Sequence, residues 1–81
     1  MESCMLHLMN DDYNHRLDIE TALVQVCGMS ESDAQVSTLL AHETGHCPIF
    51  EGDTEDAKKL QDKFEDLGIN TQITEVNSEP L

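Results

Sequence analysis

The sequence predicts an α+β fold with elements ordered β-α-α-β-α-β, a small sheet carrying its helices on one face. Two observations lead to it: short alternating or β-branched runs at either end of the chain, and three stretches with apolar residues at helical spacing between them. A third is punctuation, because each helical stretch stops at a glycine, Gly28, Gly45 or Gly68. Eighty-one residues make one small domain with one modest core. With 38% apolar residues, no Trp and Tyr13, Phe50 and Phe64 as the aromatics, that core must be mostly aliphatic.

Each element has its own signal. Leu6 and Leu8 alternate with Met5, His7 and Met9, the period of a strand with one buried face. Asn14 can cap a first helix over roughly His15 to Cys27, whose apolar stripe is Ile19, Ala22, Leu23, Val26 and Cys27. Ser30 with Asp33 resembles a capping box and opens a second helix through Ala34, Val36, Leu39, Leu40 and Ala41. Cys47-Pro48-Ile49-Phe50 reads as a strand, and Pro48, which cannot donate to a ladder, puts it at a sheet edge or strand start. Thr54 is the expected cap of a third helix with the stripe Ala57, Leu60, Phe64 and Leu67. The last strand is expected over Asn70 to Val76, followed by a frayed polar tail, Asn77 to Leu81.

Charge and cysteine usage narrow the function. Seventeen acidic against four basic residues give a formal charge of −13, which repels the phosphates of nucleic acid and anionic membrane surfaces. Neither is an expected partner. The same field attracts cationic groups, although solubility alone accounts for such a composition. Cys4, Cys27 and Cys47 show neither a disulfide framework nor a thiolate metal motif, so a reducing cytoplasm is the expected compartment. No signal-peptide pattern or membrane-length apolar run is present.

Two motifs carry chemistry. Asn10-Asp11-Asp12-Tyr13 ends the apolar run Leu6 to Met9 and forms a cluster of acceptors suited to an ammonium group with its three donors. His42-Glu43-Thr44-Gly45-His46 matches the zinc-protease pattern H-E-x-x-H, which needs both imidazoles on one helical face. Gly45 stops that helix and Pro48 pushes Cys47 away from helical angles, so His46 is expected off the face. Glu51, Glu55 and Glu65 could offer a third ligand only because carboxylates are everywhere in this chain. No metal, no cofactor and no enzymatic activity is therefore expected.

Taken together, Leu8-Met9-Asn10-Asp11-Asp12-Tyr13, the helix break at Gly28-Met29-Ser30, Ala41-His42-Glu43-Thr44-Gly45 and Glu51-Gly52 before a third helix resemble ClpS, the adaptor of Clp proteases, from about Cys4 to Val76. The resemblance implies a ClpS-like three-stranded antiparallel sheet covered by three helices. It also implies an N-end-rule adaptor that binds the destabilising first residue of a substrate protein and docks on the N-terminal domain of a Clp ATPase. Asn10, Asp11 and His42 match the residues that hold the α-amino group in that family, with Asp12 and Asn14 in support. Arg16, Ile19, Thr38 and Ala41 would line the side-chain pocket, and Glu55 with Asp56 would contribute to ATPase docking.

Arg16 and Thr38 stand where the family often has Met, and Ala41 where Val is usual, so an altered pocket preference is expected. Plain structural roles compete: Asn10 and Asp12 as turn residues, Asn14 as a helix cap, His42 as a packing residue. The alternative function is a degenerate adaptor that binds the ATPase as inhibitor or modulator without reading N-termini. Family members usually carry a flexible N-terminal extension that enters the ATPase channel, whereas Met1, Glu2 and Ser3 alone precede the expected strand here. Three residues reach at most ~11 Å. Weak delivery with retained docking is the expectation.

Overall fold

Strand alternation puts Cys4, Leu6 and Leu8 on the buried face of β1 (Ser3–Met9), at 2%, 0% and 1% exposure, in a computed structural model that describes residues 3–11 and 13–76. β1 is the central strand of a three-stranded antiparallel sheet, flanked by β2 (His46–Gly52) and β3 (Thr71–Val76). Ser3 belongs to β1 because it pairs with Val76. Helices α1 (Arg16–Cys27), α2 (Glu31–Thr44) and α3 (Thr54–Asp66) complete the expected order. Of the expected tails, Met1–Ser3 and Asn77–Leu81, all but Ser3 lie outside the described residues.

Pro48 does sit on an edge strand, and it causes a local irregularity. Leu6 pairs with Phe50 while His7 pairs with Pro48, leaving Ile49 as the extra residue of a bulge. A missing N–H is tolerated where the ladder is already interrupted. The glycine stops also hold: Gly28 at φ 71°, Gly45 at φ 98° and Gly68 at φ 75° all take left-handed backbone that a Cβ would strain.

Capping differs from expectation at two of the three helices. Ser30 accepts from the Asp33 N–H at 3.1 Å, as expected. At α1 the cap position belongs to His15, without a side-chain bond, because Asn14 is turned away to the loop before it. At α3 the cap position is Asp53, and the Thr54 hydroxyl instead lies 2.9 Å from Cys4 Sγ of the central strand. A hydroxyl drawn into a tertiary contact is lost to the helix end.

The core joins Leu6 and Leu8 to Ile19, Leu23, Phe64 and Ile69 across the sheet–helix interface. In α2 the buried stripe is Ala34, Thr38 and Ala41, whereas Val36, Leu39 and Leu40 are exposed by 57%, 44% and 43%. Small residues let α2 approach its neighbours closely, and the buried Thr38 hydroxyl is satisfied by donating to the Ala34 carbonyl at 2.8 Å. Leu67 likewise leaves the stripe assigned to it and is 54% exposed. α3 ends before it, and the Ile69 N–H closes back on the Phe64 carbonyl at 2.9 Å, so Ile69 fills the core position at 3% exposure.

Candidate functional site

Three chain segments meet at the C-terminal end of β1. The Met9 N–H donates to the Asn70 carbonyl at 3.1 Å and the Asn10 N–H to the Gly45 carbonyl at 2.9 Å, which ties the strand end to the starts of β3 and β2. His42, in the last turn of α2, is brought to the same place by the Gly45 stop.

Asp11 organises the following loop. Its Oδ1 accepts the backbone N–H groups of Tyr13 at 2.6 Å and Asn14 at 3.0 Å, and its Oδ2 accepts the Asn14 side-chain amide. Asn14 Nδ2 also donates to the Gly68 carbonyl at 2.8 Å, pinning the loop to the turn after α3. Partial burial acts to raise the Asp11 pKa. The Asn14 amide and the N–H groups of Tyr13, Asn14 and Asn70 outweigh it, so the net shift is below the ordinary value of 3.8. These four donors account for about the four acceptor positions of a carboxylate, so an incoming ammonium would have to share them.

The loop, α1 and α2 enclose a cavity of about 340 Å³. Its lining includes the polar residues Asn10, Asp11, Asn14 and His42 together with Ile19, Thr38 and Ala41. Arg16 lies at the rim with Nε 3.3 Å from Glu20 Oε2, its side chain 69% exposed. The Glu20 side chain is 13% exposed, so this i,i+4 pair is only partly exposed. Leu8, Met9 and His15 also line the cavity and were not among the residues singled out from sequence. Leu8 could have been found from its alternation, which puts it on the buried face of β1.

Asp12 lies outside the described residues. Glu55 and Asp56 are exposed in the first turn of α3 and do not line this cavity. His46 is the first residue of β2, in a different element from His42, and its ring meets that of His7 edge-on at 5.3 Å. Among the described residues, no group of three or more His, Cys, Asp or Glu is placed to hold a metal ion, and no helix is long and apolar enough to cross a membrane.

The cavity lining combines hydrogen-bond acceptors with apolar and small side chains. Among solved structures, Agrobacterium tumefaciens ClpS2 bound to L-phenylalaninamide matches with a TM-score of 0.82 and 22% identity, over 93% of this chain and 98% of that one. No curated protein matches by sequence. The family model for the ATP-dependent Clp protease adaptor protein ClpS matches residues 2–79, nearly the whole chain. The chain therefore belongs to the ClpS family, adaptor proteins of the ATP-dependent Clp protease.

Proposed function

We propose that this adaptor reads the first residue of its substrates under the N-end rule and carries them to a Clp ATPase. The observation that carries the reading is the cavity itself, whose lining brings Asn10, Asp11 and His42 together with Ile19, Thr38 and Ala41. An α-ammonium group would donate to the Asp11 carboxylate, to the Asn10 amide oxygen and to a His42 ring nitrogen. The first side chain would then lie against the recess. L-Phenylalaninamide, bound by the similar ClpS2, has this form: a free α-amino group beside one apolar side chain.

A volume of about 340 Å³ is near the small end of ligand sites, roughly 300–1,000 Å³, and suits one residue better than a longer segment. The Clp ATPase N-terminal domain would dock elsewhere, with Glu55 and Asp56 at the exposed start of α3 as contributors. Binding and presentation require no bond-making by this chain, so no catalytic residue is assigned.

The test is a binding titration with peptides that differ only in the first residue, each paired with its acetylated form. Free peptides should bind and acetylated ones should not, because acetylation removes both the charge and two of the donors. Equal affinity for the two forms would leave only a modulator of the ATPase that ignores N-termini.

Pocket selectivity gives a second expectation. Thr38 is buried in the cavity wall, and Thr38→Met should fill part of the recess at a stability cost of about 1–3 kcal/mol for overpacking. Peptides beginning with Trp, Tyr or Phe should lose affinity relative to those beginning with Leu. An unchanged ranking of the four would remove Thr38 from the side-chain pocket.

A further inference from the structure

The face of the sheet turned away from the core holds a second constellation. Met5, His7 and Met9 alternate with the buried Cys4, Leu6 and Leu8, so all three side chains stand on that face, half-buried. His46 pairs directly with Met9 across β2, and His7 pairs with Pro48 one step along, which makes the two histidines diagonal neighbours. Their rings are 5.3 Å apart between centroids at 73°.

His7 is incompletely satisfied. Its Nε2 lies 2.9 Å from Thr74 Oγ1 on β3, while its Nδ1 is buried with no hydrogen-bond partner. The two nitrogens of an imidazole point in nearly opposite directions, so Nδ1 faces away from β3. With Nε2–H donating to Thr74, the lone pair is on Nδ1. This is the arrangement found in metal-ligating histidines, whose outer N–H is held by an oxygen that fixes tautomer and ring orientation. A buried polar atom without a partner calls for a ligand, and the residues that share its sheet face here are His46, Met5 and Met9.

We propose that this face binds one Cu(I) ion through His7 Nδ1, the His46 imidazole and the Met9 thioether, with Met5 flanking. Two imidazoles on one ion at metal–nitrogen distances of about 2.0–2.1 Å place their centroids roughly 5–6 Å apart, which accommodates the observed spacing. The flexible thioether of Met9 needs only a rotamer change to close the set. Ligand softness selects the ion. Thioether and imidazole suit Cu(I), whereas Zn(II) would need a further thiolate, imidazole or carboxylate, and no such third group is in place among the described residues. Thiolates are the usual rivals for Cu(I), but Cys4 and Cys47 are buried in the opposite, core-facing layer, and Cys27 is on α1 with its thiol pushed to higher pKa by burial.

The experiment is an anaerobic titration of the full chain with Cu(I) supplied as its acetonitrile complex, in competition with bicinchoninate. One ion per chain is expected, with nitrogen and sulfur neighbours in X-ray absorption. Thr74→Val, at an exposed position away from the ion, should weaken binding by about ten- to a hundredfold through loss of ring orientation. His46→Gln, also exposed, and Met9→Leu should each weaken it at least as much, with circular dichroism unchanged. Binding that survives His46→Gln, or that is lost only in Cys27→Ser, would overturn the site. Displacement of Cu(I) by equimolar Zn(II) would overturn the choice of ion.

Discussion

Asp11→Ala is expected to weaken the binding of a peptide with a free N-terminus by ~1.5–3 kcal/mol, roughly 10- to 150-fold, the range for a hydrogen bond to a charged group. The loss has two sources. One is the direct acceptor for the ammonium; the other is the loop, since Asp11 holds the N–H groups of Tyr13 and Asn14 and the Asn14 side chain. Asp11→Asn separates them, because an amide oxygen can still accept from the two backbone groups while the charge is gone. It should retain the fold and the two backbone hydrogen bonds while losing the one from the Asn14 side chain, and bind free peptides nearly as poorly as the alanine variant. Full affinity in Asp11→Asn would show that Asp11 only shapes the loop.

The sign of the pH dependence follows from the same contacts. The folded-state pKa of Asp11 lies below its ordinary value of 3.8, so its contribution to stability is present above that value and is lost as pH falls through the lower, folded value. In the neutral range Asp11 stays ionised. Peptide affinity measured from about pH 5 to 7 should therefore show no step from Asp11, which titrates below 3.8 in the folded chain.

Phe64→Ala should be the most destabilising single change in the chain, at about 3–5 kcal/mol for an emptied aromatic site in a packed core. Phe64 is fully buried and is the largest such side chain. Total stability for a domain of this length is only ~4–12 kcal/mol at the usual stability per residue, so the variant should lose much of its urea midpoint or fail to fold. Leu67→Ala is the informative companion. It lies one helical step further along the same apolar pattern, yet it is 54% exposed, and its replacement should stay within about 0.5 kcal/mol. Comparable losses in urea denaturation of the two variants would mean that Leu67 is packed after all.

That pair of residues marks the limit of what sequence alone determines. Element order, the three glycine stops, the Ser30 cap and the edge position of Pro48 follow from local backbone chemistry, because φ restriction and a missing N–H act within a few residues of their cause. The motif Asn10–Asp11 and the resemblance that linked it to His42, Ile19, Thr38 and Ala41 named residues that share one cavity, whereas Leu8, Met9 and His15 in the same lining were not named. Tertiary structure decided the rest. Ile69 rather than Leu67 entered the core because the chain turns at Gly68, and Ala34, Thr38 and Ala41 rather than Leu39 and Leu40 faced inward because α2 packs closely. Asn14 and Thr54, sound caps by composition, were taken by Asp11 with Gly68 and by Cys4. A polar side chain or an apolar stripe has several local solutions of nearly equal energy, and only the partners brought by the sheet and the other helices select among them.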